Sequence, residues 1–211
     1  MRRTLVVDPA TCEAADLVAA AQWLIAGGIV AYPTDTFYGL AVDPRSAAAV
    51  EALFDLKGRD ARVAMPLLAA SPAQVEFAFG AMDDVSGRLA RMFWPGPLSL
   101  ILGAPASIAA GVHGGIGTIA VRVPAHPVAR ALAAKLAFPV TATSANRSGQ
   151  PPAATARDLG VVGGDPRVMV IDGGTTPGGQ PSTIVDARRT PPTLVRDGAI
   201  AWIRVLESLH G

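Results

Sequence analysis

The 211-residue chain contains one cysteine, Cys12, so no disulfide can form within it. Cys12 reads as a small apolar side chain on the packed face of an alanine-rich helix, not as a nucleophile. Histidine is also scarce: His113, His126 and His210 stand far apart, and neither they nor Cys12 match a zinc-ligand spacing. Charged residues make up only 17% of the chain and the formal net charge is +1. That excludes a protein that coats nucleic acid through bulk positive charge, although it leaves room for a local basic groove. The N-terminal "MRRTLVVDPA" has two arginines but no apolar signal-peptide core. The apolar stretch from Leu17 to Tyr32 is broken by Gln22, Gly27 and Gly28 and is too short to cross a bilayer. The resulting expectation is a soluble, cytoplasmic protein. Walker A, dinucleotide-glycine and Gly-x-Ser-x-Gly patterns are all missing.

Half the residues are apolar, enough for a sizeable core in one domain spanning residues 1–211. Hydrophobic periodicity predicts strands at 5–7, 29–32, 66–69, 98–103, 118–124 and 168–174, with two more in "STIVD" and "TLVRDGAI". "PVTATSAN" reads as a further strand running into a polar loop. Helices are predicted over 11–28, with Leu17, Ala21, Leu24 and Ile25 on one face, and after Ser46, Ser71-Pro72, Asp83 or Asp84, and His126-Pro127. The tail from Trp202 reads as a short helix. Interleaved helices and strands, with hairpin spacing near the end, predict an α/β (α+β) fold with a mixed sheet covered by helices.

Polar residues gather at the strand ends. In "IVAYPTDTFYGLAVD" an apolar strand runs into Thr34, Asp35, Thr36 and Tyr38, more chemistry than a tight turn needs. In "KGR", an extended backbone would send Lys57 and Arg59 to the same side, about 7 Å apart at Cα. Together they would form a point charge and a bidentate fork suited to phosphate or bicarbonate. Ser144 and Asn146 alternate in "TSANRSG" and offer uncharged groups to phosphate or ribose oxygens. Arg122 lies in a strand on the face of Thr118 and Ala120, opposite Ile119, Val121 and Val123; buried there, it meets either a structural carboxylate or an anionic ligand. Ser182 opens a strand after the glycine-rich "DGGTTPGGQP", and Arg196 sits at a strand end. Each motif alone also has a plain reading, as solvated cations, turn residues or a hairpin connection.

Taken in order, "AYPTDTFYGLAVD", "KGR", "PL", "WPGPLSLIL", "TIAVRVPAHP", "TSANRSGQP", "DGG…STIVD" and "LVRDGAI" closely resemble the YrdC-like family of L-threonylcarbamoyl-AMP synthases, in its short single-domain form. The resemblance runs from about residue 10 to residue 200. It implies a twisted mixed sheet flanked by helices, with a large concave cleft. It implies a reaction in which L-threonine, bicarbonate and ATP give threonylcarbamoyl-adenylate and pyrophosphate, with Mg²⁺ carried by the phosphates and no dedicated protein metal site. The product would pass to a tRNA threonylcarbamoyl-transferase complex that modifies the adenosine beside the anticodon. By resemblance, Lys57 and Arg59 handle the phosphates and are the catalytic cations. Thr118, Ser144, Asn146 and Arg196 complete the nucleotide site, and Thr36, Arg122 and Ser182 surround threonine. Two departures stand out. Asp60 follows Arg59 where the family usually has proline, which makes Arg62 a further candidate phosphate contact. Ala70 follows "PL" where some members have histidine. Two other readings remain: a non-catalytic RNA-binding or ribosome-associated module on the same scaffold, and a related carbamoyl-adenylate-forming enzyme.

Overall fold

A computed structural model of the chain describes residues 3–58 and 63–210. The run Ile29–Tyr32 is buried at every position, and its alternation reveals the plan of the molecule. Ile29 and Ala31 enter one apolar cluster, whereas Val30 and Tyr32 enter a second. A strand with both faces apolar has to be covered on both sides.

The strands are β1 (Arg3–Val6), β2 (Ile29–Tyr32), β3 (Gly39–Ala41), β4 (Leu67–Leu68), β5 (Leu98–Gly103), β6 (Thr118–Arg122), β7 (Val140–Thr141), β8 (Thr143–Ser144), β9 (Val168–Asp172), β10 (Thr183–Asp186) and β11 (Thr193–Arg196). The helices are α1 (Val18–Ile25), α2 (Ala47–Lys57), α3 (Pro72–Phe79), α4 (Asp84–Phe93), α5 (Ala110–His113), α6 (Pro127–Ala134), α7 (Gly160–Gly164) and α8 (Trp202–His210). Two mixed sheets form, in the orders β1-β9-β2-β3-β8 and β11-β10-β5-β6-β4-β7. Sequence reasoning anticipated one sheet and read "PVTATSAN" as one strand. The difference lies at Ala142: β7 pairs with β4 in the larger sheet, and two residues later β8 pairs with β3 in the smaller one.

The five-stranded sheet is a filled sandwich. Leu17, Leu24, Val128 and Leu132, from the α1 and α6 side, pack on one face, and Val50, Leu53 and Phe54 of α2 belong to the cluster on the other. The six-stranded sheet is covered differently. Leu98, Leu100 and Leu102 of β5, Ile119 and Val121 of β6, and Val185 of β10 all enter the large core. The residues between them point the other way and line a cleft.

Local capping signals hold. Ser46 accepts from the Ala49 amide at 3.2 Å, Ser71 from Gln74 at 3.2 Å and Asp83 from Ser86 at 2.8 Å. The first helix is shorter than expected, with a 3₁₀ turn at Ala14–Leu17 leading into α1. Ile25 faces solvent, while Ala20 takes the buried position assigned to it. Cys12 lies just before that turn rather than on a helix face, partly buried against the smaller core. Burial and the nearby Asp16 charge push its thiol pKa up, which disfavours thiolate chemistry. No described helix is long and apolar enough to cross a membrane.

Candidate active-site cleft

The cleft encloses about 640 Å³ between the two sheets. Strand alternation furnishes its floor: Ser99 and Ile101 from β5, Thr118, Ala120 and Arg122 from β6, and Ser182 and Ile184 at the start of β10. Thr36, Ser144, Asn146 and Arg196 also line it. Seven of the nine residues singled out from sequence therefore meet in one cavity. Of the other two, Arg59 lies outside the described residues, as does Arg62, and Lys57 lies behind the wall.

The segment 33–38 is the loop of the β2–β3 hairpin, and it is tied down at every polar side chain. The Thr34 hydroxyl donates to the Phe37 carbonyl at 2.7 Å and accepts from the Thr36 amide at 3.1 Å. The Gly178 amide donates to the Thr36 carbonyl at 2.7 Å. Tyr38 donates its hydroxyl to the Gly174 carbonyl at 2.8 Å and accepts from the Gly173 amide at 3.2 Å. Burial pushes the Tyr38 pKa up to about 12, so the phenol stays a protonated strut. The hairpin loop and the glycine-rich 173–178 segment thus hold one another and leave Thr36 on the cleft wall.

Arg122 meets a structural carboxylate, one of its two anticipated partners. It borders the cleft, and it pairs with Asp35: Nη1 donates to Oδ2 at 3.1 Å and Nη2 lies 3.0 Å from Oδ1. The second contact is an ion-pair approach without hydrogen-bond geometry, and Oδ1 has no hydrogen-bond donor among the described residues. Only 8% of the Arg122 side chain and 16% of the Asp35 side chain is exposed. His126 sits close by, at the start of α6, with a buried Nδ1 that has no hydrogen-bond partner among the described residues. Burial lowers its pKa, against the opposing pull of Asp35.

Arg196 reaches back to Ser182. Its Nε and Nη2 donate to the Ser182 carbonyl at 3.0 and 2.7 Å, and Nη2 also donates to Ser182 Oγ at 2.9 Å. Burial and the positive charge of Arg122 depress the Arg196 pKa. Arg122 is offset by Asp35, so the positive charge that a partly desolvated cleft holds for an anion comes chiefly from Arg196. Ser182 Oγ also lies 2.9 Å from Ser99 Oγ. Ser99 is the participant that sequence reasoning passed over; Asp35 was noticed in its loop, but not as the partner of Arg122. Ser99 carried a signal: it is the one hydroxyl in "LSLILG" and sits out of phase with the three leucines.

Lys57 differs from expectation. It is the last residue of α2, and Gly58 closes the helix in the left-handed conformation at φ 60°, so the backbone here is not extended. Lys57 is 3% exposed. Its ammonium donates to the Ser144 carbonyl and, at 2.7 Å, to the Asn146 carbonyl. It borders a second cavity of about 740 Å³ on the far side of the 144–152 loop. Asn146 spends its side-chain N–H groups on the carbonyls of Arg147 and Gln150, and its buried Oδ1 has no hydrogen-bond partner among the described residues. Its acceptor oxygen suits a ribose hydroxyl or an adenine amino group more than a phosphate, but in this conformation it is sealed from the cleft.

The comparisons with known proteins decide the family. The family model for the Sua5/YciO/YrdC domain, described as telomere recombination, matches residues 22–198. The chain belongs to the Sua5/YciO/YrdC family. A threonylcarbamoyl-AMP synthase of Thiobacillus denitrificans is 41% identical over 164 residues, covering 78% of this chain and 87% of that protein. One from Pyrococcus abyssi is 36% identical over 181 residues, covering 86% of this chain. The chain spans only 53% of that longer relative. The crystal structure of P. abyssi Sua5 complexed with L-threonine matches with a TM-score of 0.86 and 33% identity, over 98% of this chain and 60% of that one. The mixed-sheet fold with a large concave cleft that family resemblance implied is the architecture of a Sua5/YciO/YrdC domain, with two sheets in place of the one expected. Among the described residues, no group of three or more His, Cys, Asp or Glu side chains is placed to hold a metal ion.

Proposed function

We propose that this chain, as one catalytic domain over residues 1–211, is a cytoplasmic L-threonylcarbamoyl-AMP synthase, a nucleotidyltransferase. The observation that carries this reading is the convergence of Thr36, Arg122 and Ser182 with Thr118, Ser144, Asn146 and Arg196 in one cleft. One cavity of about 640 Å³ thus brings together the residues proposed for the amino acid and those proposed for the nucleotide. The naming of relatives as threonylcarbamoyl-AMP synthases and the solved complex of one family member with L-threonine support it.

In this reading Arg122 receives the threonine carboxylate, and Thr36 and Ser182 hold its polar groups. The threonine amine and bicarbonate give a carbamate with loss of water. A carbamate oxygen then attacks the α-phosphorus of ATP and breaks its bond to the departing pyrophosphate. The reactants are all anionic near the reacting centre, so the protein's main task is to gather them and offset their repulsion. Arg122, Arg196 and Arg59 supply positive charge, and Arg59 and Lys57 are the cations proposed for the phosphates. Lys57 acts from behind, since its ammonium fixes the carbonyls of Ser144 and Asn146 and contributes its charge through them. Mg²⁺ enters on the phosphates. The labile adenylate passes to a tRNA threonylcarbamoyl-transferase complex, with at most weak direct contact to RNA.

Incubation of the purified chain with ATP, bicarbonate and L-threonine is expected to release pyrophosphate, and omission of threonine is expected to abolish the release. Release that ignores threonine would point to another carbamoyl-adenylate chemistry. No release under any combination would favour a binding module.

A further inference from the structure

Ser99 lies on β5 with its side chain on the cleft side of the sheet, yet it is only 1% exposed. Its oxygen is 2.9 Å from Ser182 Oγ, and among the described residues that is its side-chain hydrogen-bond partner. A hydroxyl has one proton and two acceptor lone pairs, whereas a guanidinium has donors alone. The 2.9 Å contact from Arg196 Nη2 therefore uses Ser182 Oγ as an acceptor. Ser99, sealed from water, also has to place its proton on an acceptor, and Ser182 Oγ is the one in reach. Both lone pairs of Ser182 are then occupied, one by Arg196 and one by Ser99. Among the described residues, the hydrogen-bonding capacity left on Ser182 Oγ is its own proton, on a half-buried side chain that borders the cleft.

We infer that Ser99 is a positioning residue that, together with Arg196, fixes Ser182 as an obligate hydrogen-bond donor to an anionic oxygen of the amino-acid substrate. The inference rests on the reading that threonine occupies this end of the cleft. It sets the polarity of one contact: Ser182 donates to a carboxylate or carbamate oxygen and cannot accept from an ammonium or a substrate hydroxyl. It also separates Ser99 from residues that merely pack, because its whole effect on the substrate passes through one oxygen atom.

The test is a set of four proteins: Ser99→Ala, Ser182→Ala, the double substitution, and Ser99→Thr. Pyrophosphate release is measured against threonine at saturating ATP and bicarbonate, and threonine binding is measured by calorimetry without ATP. Loss of one hydrogen bond to a charged group corresponds to roughly a ten-fold rise in KM or more, the result expected for Ser182→Ala. Ser99→Ala is expected to raise the threonine KM and Kd by roughly three- to ten-fold, with kcat and the ATP KM within about two-fold of the parent. The double substitution should be no worse than Ser182→Ala alone, because non-additivity is the mark of one residue acting through another. Ser99→Thr restores the hydroxyl and should recover most of the threonine affinity. Unchanged threonine affinity in Ser99→Ala overturns the inference, and so does a double substitution whose effect is the product of the singles. An equal loss in kcat and both KM values would make Ser99 a packing residue only. If the parent binds threonine in a Ser99-dependent way but releases no pyrophosphate, the enzymatic reading fails and this inference stands. If Ser182→Ala leaves threonine binding untouched, this inference fails, and the enzymatic reading stands or falls on threonine-dependent pyrophosphate release alone.

Discussion

The ion pair between Arg122 and Asp35 makes a stability prediction that can be worked through. Asp35→Asn keeps the size of the side chain and one acceptor oxygen but removes the counter-ion of a guanidinium whose side chain is 8% exposed. Removing one partner of a buried pair costs about 3–5 kcal/mol. Two features of this site lower that figure. Asn still accepts from Nη1, and the pair borders an open cleft, where water compensates part of the charge. About 2 kcal/mol is the expected loss after that discount. For a chain of this size each kcal/mol moves the midpoint by roughly 2–4 °C, so Tm should fall by about 4–8 °C. The double substitution Asp35→Leu with Arg122→Met removes both charges, and such replacements are often neutral. It should stand within about 1 kcal/mol of the parent and above Asp35→Asn. Thermal and urea unfolding at pH 7, in low and moderate salt, measure both variants. Buried pairs are screened weakly, so the difference should survive added salt. A loss below about 0.5 kcal/mol in Asp35→Asn, or a double substitution less stable than the single, would refute the claim that this pair is a desolvated ionic unit.

Two further expectations follow from the site. Lys57→Met keeps the apolar stem but leaves the carbonyls of Ser144 and Asn146 without their ammonium. It should cost about 2 kcal/mol and weaken ATP binding at least a few fold; a loss of ATP affinity with stability unchanged would make Lys57 a direct phosphate ligand instead of a brace. The lowered pKa of His126 means that the unfolded chain binds its proton more readily than the folded one. Its stabilising contribution is present above the ordinary histidine pKa of about 6.5 and is lost as pH falls through the folded value. Urea midpoints compared at pH 7.5 and pH 5 should drop, and His126→Gln should drop less; an identical drop would exclude His126 as the source.

Features encoded within a few residues were legible in the sequence. Ser46, Ser71 and Asp83 cap helices because cap chemistry spans only three residues. Alternation in "TIAVRV" was enough to put Thr118, Ala120 and Arg122 on one face, since strand period does not depend on what lies across the sheet. Features that depend on distant pairing were not legible. Asp35 lies 87 positions from Arg122, and the carbonyls that hold Lys57 lie 87 and 89 positions away. Nothing local distinguishes those partners from any other aspartate or carbonyl. The split into two sheets has the same origin, because "PVTATS" changes partners from β4 to β3 within two residues. The short helices α5 and α7 fall in glycine-rich segments that carry no periodic signal.

The alternation along β5, β6 and β10 divides each strand into two sets of positions with different duties. Leu98, Leu100, Leu102, Ile119, Val121 and Val185 hold the core together, while Ser99, Ile101, Thr118, Ala120, Arg122 and Ile184 lie on the cleft side. Substitutions in the second set can change what the cleft accepts while leaving the core side chains in place. Within these strands the scaffold therefore gives selection two nearly independent handles. An inserted or deleted residue has no such freedom. It exchanges the two sets at once, turning Arg122 into the core and Val121 toward solvent. New substrate preferences on this fold are open to point substitution in these strands, while changes of length are confined to the loops between them.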